Sequence, residues 1–244
     1  MNLRKLILSN NDCYKAGRKI KPRGIMVHST GANNPYLRRY VGPDDGLLGH
    51  NPYNNHWNQP RPDGQQKCVH AFIGRLKDGS IATYQTLPWD HRGWHAGGKA
   101  NDTHIGFEIC EDGLNDPVYF AQVYREAVKL CVYLCKMFGL TEKDIICHSE
   151  GAKLGIASNH GDVMHWFPRH GKNMDTFRAD VKKLLEEEKK KVAENKNTPS
   201  AWAKEAWEWA KKEGITDGTD PKGMVTREQL ATMLYRYHEQ VNKK

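Results

Sequence analysis

The chain has 244 residues, 37 Lys and Arg against 29 Asp and Glu, and a formal charge of +8. Its mean hydropathy is −0.78, and no stretch approaches the ~20 apolar residues of a membrane span. With 38% hydrophobic residues, 22 Gly and 11 Pro, a collagen and a wholly disordered chain are also excluded. A basic chain suits an anionic partner, and charge alone does not choose between nucleic acid, an acidic membrane and a cell-wall polymer.

Residues 1–10 lack the apolar core of a secretory signal, so synthesis in a reducing cytoplasm is expected. Residues 24–29, a short apolar run bounded by Pro22 and Gly31, read as a strand. Residues 68–73 and 80–84 flank Lys77-Asp78-Gly79 and read as a hairpin. Residues 103–110 alternate as a strand. The clearest helix covers residues 118–138, with Val123, Ala127, Leu130, Val132, Leu134 and Met137 on its apolar face and Gly139 as its stop. Residues 144–148 form another short strand, and residues 175–191 a second helix. The expected fold is α/β, a central mixed β-sheet flanked by helices.

The six cysteines form no CxxC pair and are expected to be mostly buried free thiols. Three zones are expected: residues 1–180 as a main domain, 181–198 as a charged helical linker, and 199–244 as a small helical hairpin. Their net charges are +5, +2 and +1, so no polybasic tail exists. No helix-turn-helix, zinc-finger or RNP pattern supports nucleic-acid binding.

The chemistry concentrates near predicted strand ends. His28 and His148 close two apolar runs, and Asp162 follows fourteen residues after His148. Two His and one carboxylate make a catalytic zinc set with a fourth position open for water. Spacing alone does not separate this from scattered core and surface histidines. Four ordered segments add to it: Val27-His28-Ser29-Thr30, Trp94-His95-Ala96-Gly97, Ile105-Gly106-Phe107-Glu108 and Cys147-His148-Ser149-Glu150-Gly151. Over residues 20–180 the chain resembles the zinc-dependent N-acetylmuramoyl-L-alanine amidases of the peptidoglycan-recognition fold, and most of all the lytic amidases of clostridial phages and prophages.

The resemblance implies Zn2+ held by His28, His148 and Asp162, with Glu108 working on the water and His160 stabilising the oxyanion. His160 falls where relatives often place a Lys, and His160 and His165 are rivals to Asp162 as third ligand. The implied substrate is bacterial peptidoglycan, cut between N-acetylmuramic acid and L-alanine. Of the residues that could line a groove, Trp94, His95 and Asn101 are the expected substrate contacts. Trp57, Trp89 and Trp166 are further groove candidates, with ordinary packing at least as good a reading for Trp89 and Trp166. His50, His56, His70, His91, His104 and His170 are expected to be surface or core histidines. A non-catalytic peptidoglycan binder of the same fold is the alternative function, and the complete ligand set argues against it.

In the last zone Trp202, Ala206 and Trp209 fall at i, i+4, i+7 on a predicted helix. Thr226 and Gln229 then form a capping box for a second helix carrying Leu230, Met233, Leu234 and Tyr237. This zone resembles a single surface-layer homology repeat, through residues 209–215 and 225–236. The resemblance implies binding of an anionic secondary cell-wall polymer, with Trp202, Trp209 and Arg227 as wall-targeting residues. About 46 residues make a marginal core, so packing on the main domain or self-association is expected.

Overall fold

A computed structural model describes residues 1–242. The chain divides into two compact units, residues 1–184 and 185–244. The first unit comprises β1 (Leu3–Lys5), α1 (Asp12–Lys15), β2 (Gly24–Asn33), β3 (Ala71–Arg75), β4 (Ile81–Gln85), β5 (His104–Glu111), α2 (Pro117–Phe138), β6 (Ile145–Cys147), α3 (His148–Lys153) and α4 (Val163–Trp166). Helix α5 (Met174–Asn197) begins in it and ends in the second unit, which carries α6 (Lys204–Lys212) and α7 (Arg227–Asn242).

The strands make one mixed sheet in the order β1-β4-β3-β5-β2-β6. Only the β3–β4 hairpin is antiparallel; the other pairings are parallel. In strand β2 the successive apolar residues Ile25, Met26 and Val27 are all fully buried, as expected where a parallel strand is covered on both faces. Helix α2 packs on β3 and β4. It starts where the Asp116 carboxylate accepts from the Val118 and Tyr119 N–H groups, with Pro117 in its first turn. It stops at Gly139, whose φ of 67° supplies the left-handed cap. Met137, expected on the apolar face, is 47% exposed, while Val123, Ala127, Leu130, Val132 and Leu134 are buried.

Strand β1 has no counterpart in the sequence reading. It is three residues long, only half-buried, and parallel to β4. The tie that holds it is distant in sequence: the buried Glu126 Oε1 of α2 accepts from Asn2 N at 2.6 Å and from Thr83 Oγ1 at 3.3 Å.

The expectation of six free thiols is corrected. Cys13 and Cys68 form a disulfide, their Cα atoms 6.4 Å apart, within the usual span of such bridges. Asn11 brings them together: its Oδ1 caps α1 through Cys13 N, and its Nδ2 donates to the Trp57 and Lys67 carbonyls. Cys110, Cys131, Cys135 and Cys147 are free and buried. Trp57, Trp89 and Trp166 are also buried. Trp57 packs edge-on to Phe72, and Trp166 lies against Tyr119 and Phe120, so packing and not groove lining explains them.

The second unit is helical. The capping box of α7 forms as predicted, with Thr226 Oγ1 accepting from Gln229 N and Gln229 Oε1 from Thr226 N. The rings of Trp209 and Tyr237 meet edge to face, 6.2 Å apart. Trp202 belongs to a 3-10 turn, Ala201–Ala203, ahead of α6, and is 90% exposed. Arg227 opens α7 and is exposed. Among the described residues of this unit, Ile215 is the only buried hydrophobic one.

Candidate metal centre

Register across the parallel strands assembles the site. His28 on β2 pairs with Glu108 on β5, and Val27 pairs with Cys147 at the end of β6. Glu108, His28 and His148 therefore emerge side by side toward the carboxyl ends of β5, β2 and β6, the edge where open α/β sheets place their ligands. His148 opens α3, whose first turn is anchored by Glu150. That carboxylate accepts from Cys147 N and makes a two-point pair with Arg178 of α5, each contact 3.0 Å. Asp162 precedes α4 with φ 44° and ψ −128°, a backbone conformation that L-residues rarely adopt and that clusters at functional sites.

The three groups converge. Asp162 Oδ2 lies 2.8 Å from His148 Nδ1 and 3.3 Å from His28 Nδ1. One ligand atom from each of the three lies within 4.8 Å of the others. Burial works against ionising Asp162, but the imidazoles of His148 and His28 beside its carboxylate outweigh it and hold its pKa below the ordinary value. Burial lowers the pKa of His28, helped by the nearby His148 and His160 and opposed by Asp162. Of the rival third ligands, His165 turns away to Glu111, Nε2 to Oε1 3.0 Å. His160 directs its Nδ1 to Ser158 Oγ at 3.0 Å.

Glu108 is the other notable group. Its Oε2 is shielded from solvent and has no hydrogen-bond partner among the described residues. Burial, then the carboxylates of Asp162 and Glu111, push its pKa well above the usual value. His160 is exposed, with its ring 4.7 Å from that of His148.

The expected substrate contacts separate. Trp94 is 39% exposed, with the Arg92 guanidinium 5.0 Å from its ring centre. Asn101 is buried, and its Oδ1 accepts from the His95 and Ala96 N–H groups. It braces the loop and faces no groove, which corrects the substrate-contact expectation. His95 turns inward: its Nδ1 is 3.0 Å from His28 Nε2 and its Nε2 is 3.2 Å from the His104 carbonyl. Sequence reasoning passed over Ser158, whose Oγ lies 3.1 Å from His148 Nε2 and 3.2 Å from the Ala96 carbonyl. His70 is one of the histidines expected at the surface or in the core. His70 is a core residue that accepts from Gly106 N and donates to the His91 carbonyl. No local sequence signal marks either partner.

The donor set fits zinc. It offers two imidazole nitrogens and one carboxylate oxygen. Each ligand His also has its second ring nitrogen engaged by the protein, as metal-bound histidines do. The orphaned Glu108 Oε2 beside this set is a buried polar atom that calls for a partner.

An α/β sheet with such a donor set and a shielded carboxyl at its edge has the composition of a hydrolytic metal centre. Residues 18–165 match the model of the family Amidase_2, N-acetylmuramoyl-L-alanine amidase; this is more than half of the chain, and the protein belongs to that family. No curated protein matches the sequence. Similar solved structures include the Staphylococcus aureus hydrolase AmiA in complex with its ligand, 18% identical, covering 75% of this chain and 82% of that one at a TM-score of 0.54. PlyL is 18% identical and covers 75% and 96% at a TM-score of 0.51. The PlyG catalytic domain is 16% identical and covers 76% and 96% at 0.52. At these identities the likeness is one of fold.

Proposed function

We propose that this chain is a zinc-dependent hydrolase of the amide bond between N-acetylmuramic acid and L-alanine in bacterial peptidoglycan. The observation that carries the proposal is the convergence of His28 Nδ1, His148 Nδ1 and Asp162 Oδ2 beside the shielded carboxyl of Glu108. His28, His148 and Asp162 would hold the metal. When bound, zinc supplies Lewis-acid polarisation of the scissile carbonyl and acidifies water, to a pKa of about 7.

The remaining chemistry belongs to the chain. Glu108 takes the proton of the attacking water and returns it to the departing L-alanine amine. Its raised pKa suits a group that must hold a proton and then release it. With the Nδ1 of His160 engaged by Ser158, its Nε2 is the atom offered to the developing oxyanion. Trp94 presents an exposed aromatic face to the glycan or peptide.

In this reading residues 199–244 bind an anionic secondary cell-wall polymer through Trp202, Trp209 and Arg227, or self-associate. The exposure of Trp202 and Arg227 supports that role. The test is mass spectrometry of digested peptidoglycan. New N-terminal L-alanine on intact glycan strands is expected; released disaccharides, or no new ends, would overturn the reading.

A further inference from the structure

Through its ring nitrogens His95 meets one metal-ligand candidate, His28, and one backbone carbonyl, that of His104. The His104 carbonyl can only accept, so His95 Nε2, 3.2 Å away, must carry a hydrogen. Among the described residues, the rings and polar atoms that meet the His95 ring are those of His28, His70 and that carbonyl, with no carboxylate among them. In the neutral imidazole with its hydrogen on Nε2, Nδ1 is the lone pair. Nδ1 lies 3.0 Å from His28 Nε2, and His28 must therefore donate from Nε2. A neutral His28 that is protonated on Nε2 has its lone pair on Nδ1, the atom that faces Asp162.

The packing holds the ring in that attitude. His95 N donates to the buried Asn101 Oδ1 at 2.8 Å. A Cβ at Gly106 would come 2.5 Å from the His95 ring, and one at Gly93 2.7 Å. The neighbouring Ala96 carbonyl accepts from Ser158 Oγ, which in turn meets His148 Nε2.

We propose that His95 is a positioning residue of the metal centre, fixing the tautomer and orientation of His28 so that Nδ1 is presented to the metal. The proposal rests on the zinc reading above. Losing such a partner costs metal affinity about 10–100-fold. The experiment measures the zinc affinity of the full chain by competition with a chromophoric chelator, for the unaltered chain and for His95→Leu, His95→Asn and Gly106→Ala, with each melting transition recorded. His95→Leu removes the acceptor and should bind zinc about 10–100-fold more weakly. His95→Asn places a carbonyl oxygen where Nδ1 stood and should recover most of the loss. Gly106→Ala leaves His95 chemically intact but displaces its ring, and should weaken binding. If His95→Leu does not fold, the order of the other two decides: Asn above Ala supports the proposal, and the reverse overturns it. Zinc affinity unchanged in a folded His95→Leu would overturn the proposal alone. Absence of zinc binding by the unaltered chain would overturn the zinc reading and this proposal with it.

Discussion

The two units obey the same local rules and reach different ends. In residues 1–184 the rules of capping and periodicity act on elements that then bury one another. Trp166, Tyr84, Tyr119, Phe72 and Phe107 all lie within fully enclosed packing. In the second unit helix α7 is capped by side chains as α2 is in the first, yet Leu230, Leu234, Tyr235 and Tyr237 each keep about half or more of their surface in water. A helix is stabilised chiefly by what its apolar face packs against. Correct local structure thus forms without a core, and a core is what the metal centre needs to hold its groups in place.

The sharpest way to probe that contrast is through chemistry. Glu108→Gln keeps the shape of the side chain and removes the carboxyl that can take up and release a proton. Peptidoglycan hydrolysis should fall about 10²–10⁴-fold, while urea unfolding shows no loss of stability, because Oε2 has no hydrogen-bond partner to lose. Arg227→Ala in the second unit should leave the rate on soluble muropeptide unchanged. A comparable drop in both variants would break the division of labour.

Stability offers the next test. Trp166→Ala empties a fully buried site against Tyr119 and Phe120 and should cost about 3–5 kcal/mol. Trp202→Ala, at a side chain 90% exposed, should change stability by less than about 0.5 kcal/mol. Denaturant titrations of both variants compare the units directly, and a large cost at Trp202 would show a packing partner for it. Between these lies the disulfide. Opening the bridge of Cys13 and Cys68, by reduction or by Cys68→Ser, should cost about 2–4 kcal/mol. That measurement samples the first unit alone, since no cysteine follows Cys147.

Much of this was legible beforehand, and the rest shares a physical cause. Strand β2, the β3–β4 hairpin, α2 and its Gly139 stop follow from patterns a few residues long. His28, Glu108 and His148 were visible too, because each closes or interrupts an apolar run, although His28 and Glu108 lie within β2 and β5 and not at their ends. Non-local facts were hidden. The Cys13–Cys68 pair, the anchoring of β1 by Glu126, and the inward turn of His95 each join residues tens of positions apart. Asn101 shows the limit well. Beside a motif it reads as a contact for substrate, and only the folded loop reveals that two backbone N–H groups already occupy its oxygen.

A smaller loss than that of the disulfide is expected at His70, a histidine of the first unit enclosed by protein on every side. Burial lowers its pKa to about 4, against the partial support of the His91 and Gly106 backbone. In the unfolded chain the ring titrates near its ordinary value of about 6.5. Between those two values the unfolded state binds more protons, so stability rises with pH there. The contribution is present above about pH 6.5 and is lost as pH falls through about 4. Between pH 7 and pH 5.5 the expected loss from this residue is about 1 kcal/mol. His70→Gln removes the titrating ring while keeping a side-chain amide that can donate to the His91 carbonyl. Urea unfolding of the variant at the two pH values should therefore show a difference about 1 kcal/mol smaller than that of the unaltered chain. An equal difference in both proteins would mean that His70 is protonated as readily in the fold as outside it, and the enclosure that separates the first unit from the second would not extend to this ring.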